Sequence, residues 1–476
     1  MSKNFALYYP ISAIFVLILQ IFTQAQDLSV TISISGRVAK VEGVILPGFQ
    51  LGTQNFYFQK GVVGNADLGK RASDISLTGE TGLVSSRQLI PGEYLAVGKY
   101  TRWSYNVDLT PTKNRVAAAH ASWIGEKEGV LMLDDLLPQF GANGKPVSAK
   151  VKLDLPTGWS EFTSDPFLSD GLINVASTER SIIFIGANLR NKAVTTKAGP
   201  VDLMLAGTWI FSDEEAVEMV REIYEAYSEM LGPLKGIRPR VSVVKFPTDE
   251  NPGAWEAETR GETVTIISSD MSFKTQSQQR LHEQLRHEIF HLWFPNGVDL
   301  KGNYAWFYEG FALYESLKLG VKHERIRFED FLDTLSRAYT LDANQLPRTP
   351  LVGSEALTDV YARGMVVAFL VDLELLKVSD GDRGAELRLA EMFRLNRHPG
   401  RSVSANDEIM SRFGVRPAIA NYVLDRKVID WKPLLSSAGI VSTTNGRTTT
   451  LSLSSKLTGG QKEILRHLGY NSQRKR

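Results

Sequence analysis

Two histidines and a glutamate are spaced for metal chemistry. In Leu281-His-Glu-Gln-Leu-Arg-His287-Glu288-Ile-Phe-His291-Leu-Trp-Phe-Pro295, His287 and His291 stand four residues apart. On a helix that puts both imidazoles on one face, a turn apart, with the Glu288 carboxylate beside them. H-E-x-x-H is the spacing of zinc hydrolases, although three fixed positions also arise by chance on ordinary surface helices. A catalytic zinc takes three protein ligands and keeps a fourth position for water, whose pKa drops toward neutrality on the metal. The third ligand is expected at Glu309, in Trp306-Phe-Tyr-Glu309-Gly-Phe-Ala312, with seventeen residues between it and His291.

The elements that must position these groups can be read around them. The helix of the histidine pair is expected to begin near Thr275. Leu281, Leu285, Ile289, Leu292 and Trp293 fall on one side of it and the two histidines nearly opposite, so the core should anchor one face and free the other. His282 points elsewhere and reads as a solvated side chain. His120, His323, His398 and His467 are isolated and read as surface or satisfied histidines. Upstream, Ser212-Asp-Glu-Glu215 is a capping box that opens a helix stopped by Gly232 and Pro233. Residues 241–246 and 263–267 read as strands. From Tyr304 the chain reads as helical, with helices over 361–377, 385–395, 404–413, 418–424 and 431–440.

Before residue 206 the pattern changes. Residues 28–34 and 147–155 alternate apolar and polar at period two, as half-buried strands do. Residues 93–97, 103–109 and 116–123 are further strand candidates, and 181–185 reads as a strand buried on both faces. The expected division is a β-sandwich-like domain over 26–205, a catalytic domain over 206–345, a helical part over 346–440, and a loosely ordered Ser/Thr-rich, then basic, tail over 441–476.

Composition narrows the function classes. A net charge of +1 over 476 residues leaves no electrostatic footprint for nucleic acid. With no cysteine there is no disulfide, thiolate ligand or cysteine nucleophile, so a metal must be held by His, Asp or Glu. Lys3, the apolar run 11–22 and Thr23-Gln-Ala25 read as a secretory signal cleaved after about Ala25, which implies an exported protein, periplasmic or secreted, with no stable membrane insertion after cleavage. The alternative is an uncleaved anchor.

The stretch from His287 to Asn296, followed by Trp306 to Ala312, resembles the gluzincin metallopeptidases, in particular the aminopeptidases of the M1 and M61 families. One residue fewer separates His291 from Glu309 than in the M1 pattern, a shortening expected in the loop 297–303. Gly253-Ala254-Trp-Glu256-Ala257 is similar to the substrate-binding motif of both families, with Ala257 where they have Asn or His. Tyr361-Ala-Arg363-Gly364 is similar to their Y-x-K-G helix. The order of parts also looks like M61, without its usual C-terminal PDZ domain.

The resemblance implies a multidomain α+β fold: an N-terminal β-sandwich-like domain, a thermolysin-like zincin domain and a helical C-terminal region. It implies a zinc aminopeptidase acting on peptide substrates. One Zn2+ would sit on His287, His291 and Glu309, with Glu288 as general base and then proton donor and Tyr361 stabilising the oxyanion. Gly253, Ala254 and Glu256 would bind the substrate, Glu256 holding its free amine. Glu315 and Asp299 are the acids available to orient the ligand histidines. Two alternatives stand beside this reading: a zinc endopeptidase of the same clan, if Glu256 does not face the cleft, and a non-catalytic exported scaffold.

Overall fold

The computed structural model describes residues 26–471 apart from 52–54, 141–145, 346–348, 399, 401–402, 415 and 426–429. The expected signal segment and the last basic residues lie outside the described residues. Among those described, no helix is long and apolar enough to cross a membrane.

Strand Ile182–Gly186 sets the layering of the first half. All its side chains are buried because two cores share it. Successive side chains of a strand point to opposite faces. Ile183 and Ile185 accordingly join a core with Val30, Val41, Tyr105 and Val151 of a seven-stranded sheet, while Ile182 and Phe184 join another with Met204, Val244 and Ile267. The four-stranded sheet that contains this strand is therefore a middle layer. Leu28–Ser35 lies in the seven-stranded sheet, antiparallel to Val38–Ile45 and parallel to Ala149–Asp154, with the alternating burial its sequence carries. Residues 116–123, expected as a strand, instead form a 3₁₀ turn over Arg115–Ala119 ahead of the short strand Trp123–Ile124. The Asn114 side chain accepts from the Val116 amide (3.2 Å), a local bond that competes with strand pairing.

The next sheet has five strands, in the order Arg190–Val194, Val201–Leu205, Arg240–Lys245, Thr263–Ser268 and Trp255–Arg260. The middle three run parallel and the outer two antiparallel to their neighbours. The sheet change thus falls before residue 190, not at 205 as expected. Val194, Val201, Leu203 and Leu205 share a core with Ala216, Val220, Ile223 and Tyr227, whereas period-two alternation alone does not say which sheet a hairpin joins.

A single turn, α1 (Leu133–Leu136), belongs to the first half. Helix α2 (Asp213–Leu231) starts at the expected capping box, with Ser212 Oγ accepting from the Glu215 amide (3.2 Å) and the Glu215 carboxylate from the Ser212 amide (2.7 Å). Then come α3 (Lys274–Phe290), α4 (Ala305–Lys322) and α5 (Phe328–Asn344). A π-helical turn, Thr358–Arg363, opens α6 (Gly364–Val378), which is apolar on nearly all sides and runs through the core. Four helices follow: α7 (Ala385–Asn396), α8 (Ala405–Arg412), α9 (Pro417–Leu424) and α10 (Lys432–Ser437).

The segment expected to be a loose tail is folded. Ile440–Asn445 and Thr448–Leu453 pair as a hairpin, and Gly459–His467 is helix α11. The hairpin docks on α5, where the Leu451 amide donates to Ser336 Oγ (2.8 Å) and the Thr449 amide to Thr340 Oγ1 (3.0 Å). Leu451, Ile464, Leu465 and Leu468 are buried. Threonine in this stretch is a strand former and not a sign of disorder.

Candidate active site

From Leu281 onward α3 is buried on both sides. Leu281, Leu285 and Ile289 lie in the main core, and His287, Glu288 and His291 are buried as well, so the expected free face is a covered cleft. His291 caps the helix. Asn296 ties this end to the edge strand of the five-stranded sheet: its amide nitrogen reaches the Thr259 carbonyl (3.0 Å) and the His291 carbonyl (3.1 Å), and its oxygen accepts from the Gly261 amide (2.8 Å).

Three atoms converge beside this helix end. His287 Nε2 and His291 Nε2 are 3.2 Å apart, and Glu309 Oε2, brought by α4, lies 3.3 and 3.4 Å from them. Ligands at about 2.0–2.1 Å in a tetrahedral shell stand about 3.3 Å from one another, so the triangle has the size of a zinc site. His291 Nδ1 donates to the Phe294 carbonyl (2.8 Å), which leaves the Nε2 lone pair facing the triangle. Among the described residues no group makes a well-formed hydrogen bond to the buried Glu309 Oε2. Charge points the same way. Burial opposes protonation of His291, yet the Glu309 and Glu288 carboxylates outweigh it and lift its pKa to about 9. Burial would raise the Glu309 carboxyl, but the two imidazoles hold it well below the usual range. The cluster calls for positive charge and fits a divalent cation.

Glu288 sits next to the triangle, Oε1 being 4.0 Å from His287 Nε2. The Thr259 hydroxyl lies 2.9 Å from its other oxygen. Burial raises the Glu288 pKa, with the histidines pulling the other way.

Tyr361 comes from the π-helical turn and is 37% exposed. Burial of the phenol and the negative charge of Glu309 and Glu288 push its pKa well up. Its placement is fixed by a glycine crossing. A Cβ on Gly310 would stand 2.3 Å from the Gly364 carbonyl carbon, and one on Gly364 2.4 Å from the Trp306 carbonyl oxygen. Only glycine at both positions lets α4 and the start of α6 touch this closely. Arg363, wholly buried, pins the same turn: it donates to the Tyr422 carbonyl (2.6 Å), stacks on the Tyr422 ring (4.5 Å) and pairs with Asp342 (3.6 Å).

Glu256 lies on the edge strand Trp255–Arg260. Thr259 faces Glu288, and the Trp255 ring lies 6.4 Å from that of His287. Glu256, Glu258 and Arg260 alternate to the other face and meet the first half of the chain, through Arg115 (3.3 Å), His120 (2.7 Å) and Asp134 (2.7 Å) respectively. Burial raises the Glu256 pKa against the pull of Arg115. Around Gly253 and Ala254 the backbone is engaged within the hairpin: the Gly253 amide donates to Asp270 (3.0 Å), the Ala254 amide to Asn251 (3.0 Å), and the Ala254 carbonyl accepts from Ser269 (2.9 Å). The structure thus brings His287, Glu288, His291, Glu309 and Tyr361 together and gives Glu256 a different partner. Thr259 and Arg115 were missed. Recognising 255–260 as a strand would have placed Thr259 on the face of Trp255.

Of the remaining histidines, His282 is buried, 1% exposed, rather than solvated as expected, whereas His323 is satisfied by a carboxylate. Both meet Glu222, His282 Nε2 at 3.7 Å and His323 Nδ1 at 2.7 Å, a second cluster of metal-ligand types. The acids proposed to orient the ligand histidines are employed elsewhere: Asp299 on Lys301 (2.6 Å) and the Gly400 amide (2.9 Å), and Glu315 in the buried group around Lys318 and Asp372. The Phe294 carbonyl fills that role for His291.

No family model matches the sequence, and neither does any curated protein. Solved structures do match. An aminopeptidase N family protein from Idiomarina loihiensis aligns at TM-score 0.72 and 13% identity, over 87% of this chain and 79% of that one. The M1 zinc metallopeptidase from Deinococcus radiodurans aligns at TM-score 0.54 and 16% identity, over 85% and 94%, and a variant of it bound to a Tyr-Ser-Ala substrate at TM-score 0.56 and 15% identity, over 85% and 95%. The chain is similar to these proteins in fold, an α+β architecture of several sheets followed by helices.

Proposed function

We propose that the chain is a zinc-dependent metallopeptidase that releases N-terminal residues from peptides. The observation that carries this is the convergence of His287 Nε2, His291 Nε2 and Glu309 Oε2 within 3.2–3.4 Å, with Glu288 and Tyr361 beside them. A zinc ion held there supplies Lewis acidity to the scissile carbonyl and to the attacking water. Glu288, oriented by Thr259, takes the proton of that water and delivers it to the leaving amine. The Tyr361 hydroxyl keeps its proton through neutral pH and donates to the oxyanion. In Glu288→Gln the ligands are untouched, so zinc content should stay at that of the wild type while kcat falls by about 10²–10⁴. Wild-type turnover in that variant would sink the assignment.

The aminopeptidase requires Glu256, which alternates to the strand face opposite Thr259, to leave Arg115 and meet the protonated substrate amine at the cleft. The Arg115–Glu256 ion pair is also the observation that favours the second reading, an endopeptidase, because it already neutralises the carboxylate. Matched peptides with free and N-acetylated termini separate the two. Cleavage of the free form alone supports the aminopeptidase, and equal rates support the endopeptidase.

A further inference from the structure

On another side of α3, the end of α4, the start of α5 and residues 469–471 enclose a cleft of about 1060 Å3. Arg286 lines it with a side chain that is 2% exposed. Among the described residues no carboxylate lies within 4.0 Å of its guanidinium. Both of its hydrogen-bond partners are neutral: Ser316 Oγ accepts from Nε (3.3 Å) and His282 Nδ1 from Nη1 (2.5 Å). The other guanidinium groups of the cleft are already paired, Arg280 with Glu283 (2.8 Å), Arg325 with Glu222 (2.7 Å) and Arg327 with Asp330 (2.7 Å). Room for Arg286 is built into α4. A Cβ on Gly320 would stand 3.0 Å from its Cζ and 3.1 Å from Nη2, so a glycine occupies the point where the guanidinium crosses the helix.

A buried guanidinium whose partners are all neutral is costly until an anion meets it, and its planar fork matches carboxylate and phosphate. The neighbouring Glu222, His282 and His323 do not make this a cation site. Because His282 Nδ1 accepts from Arg286, its Nε2 carries the hydrogen and presents no lone pair to a metal. We propose that Arg286 anchors a binding site for a small ligand bearing a carboxylate or phosphate group, in a cleft lined by Leu317, Val321, Phe328 and Tyr470 and also by the carboxylates of Glu283, Glu324, Glu329 and Asp330, the first and last of them paired with Arg280 and Arg327.

The test is calorimetric titration of the zinc-loaded full chain with inorganic phosphate and, separately, with phenylacetate, at fixed ionic strength. Wild type should bind at least one of them. Phosphate alone assigns a phosphate ligand, and phenylacetate alone a carboxylate with an apolar body. Arg286→Met should bind at least roughly tenfold more weakly. Should that variant not fold, Gly320→Ala decides instead. It keeps the charge and favours the helix but pushes the guanidinium aside, and it should weaken binding in the same direction. Zinc content, measured in each protein, separates a failure here from a failure of the catalytic assignment. Absence of binding to wild type, or wild-type affinity in the deciding variant, overturns the proposal.

Discussion

His287 and His291 meet Glu309 on one side of α3, and His282 meets His323 and Glu222 on another. The residue types are the same and the helix is shared, yet the two clusters are built for opposite charge. The difference lies at the far ring nitrogen. His291 Nδ1 donates to a backbone carbonyl, so Nε2 offers a lone pair, while His282 Nδ1 accepts from a guanidinium, so Nε2 offers a hydrogen. The surroundings agree: carboxylates Glu288 and Glu309 flank the first cluster, and Arg286 and Arg325 flank the second. Metal-ligand composition in space does not define a metal site until the outer partners are counted.

The largest effects should separate the two clusters outright. His291→Gln should lose the bound zinc and all measurable peptidase activity, whereas His282→Gln should keep one zinc per chain, as read by elemental analysis of purified protein. Loss of zinc from the His282 variant with its fold intact would erase the distinction. Next in size, Tyr361→Phe removes the phenol hydroxyl from the catalytic side and should lower kcat by about 10²–10³ with zinc content and KM little changed. A smaller effect belongs to the second cluster. Burial, reinforced by Arg286, holds the His282 pKa down at about 4. A neutral imidazole is therefore favoured in the folded state, and the stability it contributes is present above the unfolded pKa near 6.5 and lost as pH falls toward 4. Thermal melting should fall over that window by the equivalent of about 1–3 kcal/mol more in wild type than in His282→Gln. Parallel curves would break the assignment of a neutral His282.

What could be read from sequence follows the range of the interactions. The ligand pair, Glu288 and the α2 capping box are local, and four-residue spacing on a helix carries them. Glu309 and Tyr361 were reached through flanking motifs. Thr259 lies in Trp255–Arg260, which alternates at period two, Trp255, Ala257 and Thr259 against Glu256, Glu258 and Arg260; the signal is one short run of six residues, and no motif flanks Thr259. Arg115 meets Glu256 across the boundary between sheets, which no local pattern encodes. The angle of His282 from His287 does not show its burial, which follows from its bond to Arg286, one turn on. In the C-terminal hairpin a Ser/Thr-rich composition suggests disorder, while the inward alternation of Thr449 and Leu451 marks a strand.

The contact of Gly310 with Gly364 has a mechanical consequence. It joins the backbone beside Glu309 directly to the backbone that follows Tyr361, so the spacing between the Glu309 carboxylate and the phenol is set like the gap of a fixed jaw. The opposing jaw, Trp255–Arg260, is held to the first half of the chain by side chains, Arg115, His120 and Asp134. One side of the cleft is thus fixed by backbone against backbone, and the other is joined to the first half of the chain by charged side chains.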